Sequence, residues 1–401
     1  MQTQLSDRYR DTAIGQEADA VLRSCVHCGF CNATCPTYQL LGDELDSPRG
    51  RIYQIKQILE GQPATVTLRN HLDRCLTCRA CETTCPSGVQ YHRLLDIGRE
   101  LVEEQVPRSR VQRLLRKLLG YTLRSPRRMA VILFAGRLSR PLMPASLRKR
   151  IPVARKPVPF TPGEHSRQML LLDGCAQPAA APQINATSIR VFDRLGIRLT
   201  VVKEAGCCGA LQFHLSDIEG ARERARQNID AWWPLIQQGA EAIVVTATGC
   251  APMVKDYAHL LRDDARYAEQ AACVSALAKD LGEVLKNENL DTFKKSTGQR
   301  IAFHSPCTLQ HAQRLNGLVE KLLQDIGYQL TPVRDAHLCC GSAGTYSILQ
   351  PDISSRLLKY KLQTLQEHKP VMIATANIGC LLHLQTGADV PVIHWIELLK
   401  D

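Results

Sequence analysis

Apolar positions along this chain follow two different periods. At 48–59 they recur at helical spacing: Ile52, Ile55, Ile58 and Leu59 share one face, Ser47 precedes as a cap, Pro48 fits the first turn and Gly61 follows the end. That pattern predicts a helix. From residue 168 onward, short continuous apolar runs take over. Residues 168–173 (QMLLLD) and 300–304 (RIAFH) read as buried strands. Helical stretches follow each at 185–195 and 311–326, then shorter strands at 199–202 and 329–333, then helices near 218–238 and 352–367. Residues 243–247 (IVVTA) and 371–376 (VMIATA) are further strands. Strand–helix–strand–helix–strand, read twice, predicts parallel sheets with right-handed crossovers.

Between these regimes lies a third pattern. Val111, Leu114, Leu115, Leu118 and Leu119 recur at helical spacing among basic residues, and Pro126, Pro141, Pro144, Pro152, Pro157, Pro159 and Pro162 break the segment into short helices and extended linker. Residues 108–156 hold 15 Lys/Arg and no Asp or Glu, more than the whole net charge of +11. Such a basic amphipathic segment suits an anionic membrane surface or an acidic partner; the plainer reading is a solvated inter-domain linker. No nucleic-acid reading motif accompanies the charge, and aromatics at 5% argue against a base-stacking platform.

A length of 401 residues implies two to three domains at roughly 150 residues each. With 44% hydrophobic and 22% charged residues, the chain is neither disordered nor collagen-like. Its longest apolar stretch, 129–136, has eight residues, against the roughly 20 a spanning helix needs. Residues 1–22 are polar and carry no secretory pattern. The expected location is therefore cytoplasmic or peripheral to a membrane, in a reducing compartment where patterned cysteines point to metal or redox chemistry.

There are 17 cysteines, and most fall into repeated patterns. Residues 25–36 read Cys25-x2-Cys28-x2-Cys31-x3-Cys35-Pro36, and residues 75–86 repeat the spacing as Cys75-x2-Cys78-x2-Cys81-x3-Cys85-Pro86. This is the bacterial ferredoxin run, in which three cysteines wrap one cubane and the fourth reaches the other. It assigns Cys25, Cys28, Cys31 and Cys85 to one [4Fe–4S] cluster and Cys75, Cys78, Cys81 and Cys35 to a second. Zinc, or two unrelated CxxC hairpins, is the alternative; zinc sites commonly use two CxxC pairs without trailing prolines. Arg49 and Arg51 either offset cluster charge or pair on a surface.

The second half carries its own duplication. Cys175 is followed by Cys207-Cys208-Gly209 and Cys250; Cys307 is followed by Cys339-Cys340-Gly341 and Cys380. All eight cysteines fall at expected strand C-terminal ends, where open α/β sheets place their sites. They suit a further metal or iron–sulfur centre or a redox dithiol, and a structural thiol cluster is the alternative. Cys273 lies outside every pattern and reads as a buried apolar thiol.

Two ferredoxin runs followed by two Cys-Cys-Gly repeats resemble the CCG-domain electron carriers. That family includes the iron–sulfur subunits of glycolate oxidase and anaerobic glycerol-3-phosphate dehydrogenase, and fused heterodisulfide-reductase-like proteins. The stretches CVHCGFCNATCPTYQLLGDELDSPRGRIY, HLDRCLTCRACETTCPSGV, DGCAQP, EAGCCGA, NIDAWWP, PCTLQHAQ and HLCCGSAGTY are similar to the glycolate oxidase members. The resemblance implies an α+β multidomain chain: a helical two-cluster ferredoxin-type domain at 1–105, a basic linker or docking segment at 106–166, and tandem α/β Cys-Cys-Gly repeats at 167–295 and 296–401. It implies an electron-transfer subunit without a catalytic pocket of its own. Glycolate would be oxidised to glyoxylate on partner subunits that carry FAD, and electrons would pass toward quinone at the inner membrane, with the chain cytoplasmic and peripherally associated with that membrane. A heterodisulfide-reductase-like thiol enzyme, or the same carrier role for D-lactate or glycerol 3-phosphate, is the alternative. The family's full pattern ends in Cys-x-x-Cys, whereas here the ends read Cys250-Ala-Pro-Met253 and Cys380-Leu-Leu-His383. His383 could replace the missing thiolate, though a packed histidine is the preferred reading. No G-x-G-x-x-G follows a strand, so flavin and nicotinamide chemistry belongs on another chain.

Overall fold

The computed structural model describes residues 1–144, 148–149, 151–153, 157–295 and 298–400. Its N-terminal part is helical. The helices Ala13–Ser24, Pro48–Leu59, Val66–Asp73 and Tyr91–Gln105 enclose a core of Leu22, Ile55, Leu59, Leu72, Leu94 and Leu95. The expected helix at 48–59 forms: Ser47 Oγ accepts the Gly50 N–H at 2.9 Å, satisfying one of the free donors of the first turn.

Two parallel four-stranded sheets follow. The first contains β1 (Arg167–Leu172), β2 (Ile197–Val201), β3 (Ile243–Val245) and β4 (Ala278–Asp280) in the order β2-β1-β3-β4. The second repeats it with β5 (Arg300–His304), β6 (Gln329–Leu330), β7 (Met372–Thr375) and β8 (Val392–His394), ordered β6-β5-β7-β8. The fold is thus α+β, a ferredoxin-type helical part followed by two α/β repeats. Side chains alternate across each strand. In β1, Leu170 and Leu172 face the first repeat's own core with Trp232 and Tyr257. Met169 and Leu171 face a larger core that also takes Ile301, Phe303 and Ile373 from the second repeat. Burial on both faces explains the continuous apolar runs.

The edge strands β4 and β8 escape the sequence pattern because each has three residues, and the first reads Ala-Lys-Asp. The stretch 311–326 is also not one helix. A π turn at Thr308–Ala312 is followed by Gly317 at φ 78°, and the helix proper is Leu318–Asp325.

The basic segment forms the helices Arg110–Leu123 and Pro126–Ser139 and a short 3-10 turn at Arg140–Leu142. The first helix buries none of its residues and the second buries only Leu133. Val111, Leu114, Leu118, Val131, Phe134, Leu138 and Leu142 are all exposed. Among the described residues, no helix is long and apolar enough to cross a membrane. Arg150, Arg155 and Lys156 of this segment lie outside the described residues.

Candidate metal centres

The two ferredoxin runs fold by the same device. Each begins where a helix ends, at Ser24 and at Asp73. In the first loop His27 and Gly29 take φ 60° and 86°; in the second Thr77 and Arg79 take φ 54° and 62°. Left-handed residues at the second and fourth positions after the first cysteine curl each loop back on itself. Pro36 then starts the helix Pro36–Leu41 and carries the chain away from Cys35.

Cys25, Cys28, Cys31 and Cys85 line one pocket together with Cys81 of the second run and with Val26, Ile52 and Val89. Burial raises the Cys25 thiol, with Cys85 and Cys28 among the neighbours adding to the rise. Cys31 is pushed up to about 12 by burial and then by Cys25 and Cys35. The other four cysteines form a second group. Burial raises Cys81, reinforced by Cys78, Cys75 and Cys35. Cys78 is raised by burial, then by Cys339 of the second repeat, and by Cys35 and Cys75. Cys85 thus lies with the cysteines of the first run, and Cys35 lies near both Cys31 and Cys81. Thiols crowded this way resist ionising without a cation, and soft thiolates in an apolar pocket fit an iron–sulfur cluster. Around the second group, Thr77 N–H and Tyr91 O–H donate to Cys75 Sγ at 3.5 and 3.7 Å.

The two arginines separate in role. Arg49 pairs with Glu44 at 2.7 Å in partly exposed surroundings. Arg51 is fully buried: burial opposes its charge, but Cys75, Tyr91, Cys35 and Asp46 around it raise its pKa. It bonds the His71 carbonyl at 2.8 Å, Thr37 Oγ1 at 3.2 Å and Asp46 at 3.3 Å. A permanent guanidinium charge thus lies beside the second cysteine group.

Each Cys-Cys-Gly motif sits at a sheet's C-terminal end. Gly209 and Gly341 have φ 91° and 89°, and a Cβ on Gly341 would meet the Ser354 carbonyl oxygen at 2.7 Å. In the first repeat Asn228 Nδ2 donates to the Cys207 carbonyl at 3.0 Å, and Tyr257 O–H donates to the Cys208 carbonyl at 2.8 Å. In the second, Cys307 and Cys339 Sγ are 3.9 Å apart, and the Gly341 N–H points at Cys339 Sγ at 3.4 Å. The thiols interact in the same order in both repeats. Hydrogen bonds from Cys175 and then Cys208 hold Cys207 well below the usual thiol range; those from Cys307 and then Cys340 do the same for Cys339. Cys208 pairs onward with Cys250, and Cys340 with Cys380.

The two sites lie at the repeat interface. Thr248 N–H donates to the Ala376 carbonyl at 3.1 Å and Gly249 N–H to Asn377 Oδ1 at 3.1 Å. Asn377 Nδ2 in turn reaches Cys380 Sγ at 3.4 Å. The second site also meets the ferredoxin part: Leu76, Cys78 and Ala80 share a buried cluster with Cys339, Tyr346 and Leu357, with Cys307 packed against it.

Several features escape sequence reading. His304, at the end of β5, is gathered with Cys340 and Cys380 so that their ligand atoms lie within 4.8 Å of one another. Its position three residues before Cys307 is a signal, but one hidden in an otherwise apolar strand. His383 instead bonds Ser354 Oγ at 3.2 Å. Cys273, expected to be buried, is half-buried on the helix Ala268–Leu277, because its neighbours Ala271 and Val274 take the inward face.

Residues 21–89 match the 4Fe-4S dicluster domain family, and residues 169–255 and 301–385 each match the Cysteine-rich (CCG) domain family. The first match favours iron–sulfur over zinc in the ferredoxin runs, and the chain carries [4Fe–4S] clusters there. The chain is 53% identical over 402 residues to the glycolate oxidase iron–sulfur subunit of Escherichia coli K12, covering 100% of this chain and 99% of that protein. It is 28% identical to the probable glycolate oxidase iron–sulfur subunit of Bacillus subtilis 168, covering 95% and 94%. Lactate utilization protein A of Geobacillus thermodenitrificans is 28% identical over 54% of this chain and 92% of its own. With both domain families in place and full-length identity at this level, the chain belongs to the family of glycolate oxidase iron–sulfur subunits, electron carriers of an oxidoreductase complex.

Proposed function

We propose that this chain conducts electrons from partner subunits, on whose FAD glycolate loses two electrons and two protons to become glyoxylate, toward quinone at the inner membrane. Cys25, Cys28, Cys31 and Cys85 hold one [4Fe–4S] cluster, and Cys75, Cys78, Cys81 and Cys35 hold the other. Bound clusters supply one-electron redox steps. The chain's own side chains do the rest. Apolar Ile52 and Val89 limit water at the first site, and buried Arg51 together with the donors to Cys75 favours added negative charge at the second. The observation that carries this reading is the contact between Cys78 and the Cys339 site. It continues the buried path from the second cysteine group into the second repeat. The eight Cys-Cys-Gly cysteines then act as a further redox or metal site. The division at 1–105, 106–166, 167–295 and 296–401 accompanies this reading.

The chain stands peripherally at the anionic face of the membrane through its basic segment. Exposed Val131, Phe134 and Leu138 share one helix face, and Val111, Leu114 and Leu118 share another. Such faces bury apolar side chains at the headgroup boundary while bases meet the anionic lipid.

Anaerobic addition of glycolate to the purified intact complex tests the function. Glycolate is expected to reduce the clusters faster than D-lactate or glycerol 3-phosphate does. Preferential reduction by either of those compounds would shift the same carrier to another substrate, and reduction of thiol substrates instead would support the heterodisulfide-reductase-like reading.

A further inference from the structure

The two Cys-Cys-Gly sites are not equivalent. Three residues before its first cysteine, the first repeat has Leu172 and the second has His304. Leu172 packs into the apolar core of its repeat. His304 is 2% exposed. Its Nδ1 is engaged with Thr375 Oγ1 at 3.0 Å, and its Nε2 has no hydrogen-bond partner among the described residues. A buried ring nitrogen left unpaired is costly, and in a native structure it calls for an occupant. The occupant's other contacts are thiols: His304, Cys340 and Cys380 bring ligand atoms within 4.8 Å of one another. Cys339, which lies against Cys340 and near His304, offers another sulfur. The supporting groups also match a metal site. Thr375 fixes the ring so that Nε2 is the free atom, and Asn377 donates to Cys380 Sγ at 3.4 Å.

We propose that the second repeat binds a soft divalent transition metal, zinc or iron, through His304 Nε2 and the thiolates of Cys340 and Cys380, and that the first repeat does not. Imidazole with thiolates selects these metals over magnesium or calcium. The inference rests on the reading that the Cys-Cys-Gly cysteines bind a cofactor, and it restricts that role to one of the two arrays. His304 supplies the donor that the shortened Cys380-Leu-Leu-His383 end lacks, while His383 is turned to Ser354.

Metal analysis of the anaerobically purified complex, with cluster spectra recorded on the same samples, tests this. The chain is expected to hold about eight iron atoms in two cubanes plus one further zinc or iron, and the element found distinguishes the two sources. His304→Leu, which installs the first repeat's residue, is expected to lose the extra metal and keep both cubane signals. His304→Cys is expected to keep it, and His304→Ser serves as the loss variant if the leucine form does not accumulate. Cys208→Ser is expected to keep it as well. Cubane iron alone in the wild type would overturn the cofactor reading of both arrays. Extra metal retained in His304→Leu, or lost in Cys208→Ser, would overturn the assignment to His304 while leaving that reading intact.

Discussion

Tyr346 donates its phenolic hydrogen to the carbonyl oxygen of Arg74 across 2.8 Å. The bond joins the short helix Tyr346–Leu349, which follows the second Cys-Cys-Gly motif, to the residue that precedes Cys75, so the second repeat and the second ferredoxin run are fixed against each other. Thr83 and His311 add a second link at 2.9 Å. Tyr346→Phe should lose about 1 kcal/mol of stability, the net worth of one such bond. Denaturant unfolding with cluster content measured in parallel checks this.

Under the proposed function, the same junction is expected to make the two Cys-Cys-Gly sites unequal in electron flow. Cys339 faces Cys78, whereas Cys207 lies among first-repeat groups, bonded through its carbonyl to Asn228. Cys339→Ser should stop electron delivery to quinone while glycolate still reduces the partner flavin. Cys207→Ser should retain most of the flow. Stopped-flow reduction of a quinone analogue separates the two outcomes, and equal rates in both variants would contradict the assigned path.

Arg51 is enclosed with Asp46, which also pairs with His71 at 3.0 Å and Arg74 at 2.8 Å. Removing one member of a buried charge group leaves its partners uncompensated, at a cost of about 3–5 kcal/mol. Arg51→Met should therefore destabilise the helical part by that order and drain iron first from the cluster proposed at Cys75 and Cys35. Conservative Arg51→Lys should recover only part of the loss, since a single ammonium cannot span the His71 carbonyl, Thr37 and Asp46.

The proposed membrane attachment can be separated into charge and apolar contributions. Arg113, Lys117 and Arg127 are exposed, whereas Arg116 is partly engaged with Asp73 at 3.5 Å. Changing the three exposed bases to glutamine should weaken binding to anionic vesicles by about 1 kcal/mol each, and salt should weaken the wild type in the same direction. Replacing Val131, Phe134 and Leu138 by serine should release the protein even at low salt. Vesicle co-sedimentation reads both sets; unchanged binding would leave the segment as a linker.

His394 ties the repeats together in its neutral form. Its Nε2–H donates to the Thr246 carbonyl at 3.0 Å, and its Nδ1 accepts the Ile396 N–H at 3.3 Å. Burial holds its pKa down at about 4, below the ordinary value near 6.5. The unfolded chain therefore takes up a proton first. The stability contributed is whole above pH 6.5 and declines as pH falls toward 4. At pH 5.5 the loss should be about 1 kcal/mol. A denaturation midpoint that falls between pH 7.5 and 5.5 in the wild type, but less in His394→Gln, is the expected result.

Much of this arrangement is legible in the sequence, and what is missing shares a cause. Residues 168–173 and 300–304 announce strands because both faces are buried, and the eight ferredoxin-run cysteines announce themselves because their spacing is local. β4 and β8 are held by pairing with β3 and β7 rather than by their own composition, so their short runs carry no pattern. His304 reads as one more strand residue until Thr375 and Cys380 are brought to it by the parallel register. Nothing near Cys78 signals Cys339, because that contact exists only after helical and α/β parts dock.

Exchange of the fourth cysteines between the two runs is read out by electron paramagnetic resonance of reduced Cys35→Ser, with Cys78→Ser and Cys28→Ser as references. The Cys35→Ser spectrum should match that of Cys78→Ser, with the cluster of Cys25, Cys28 and Cys31 intact. A spectrum matching Cys28→Ser, with the cluster of Cys75, Cys78 and Cys81 untouched, would contradict it.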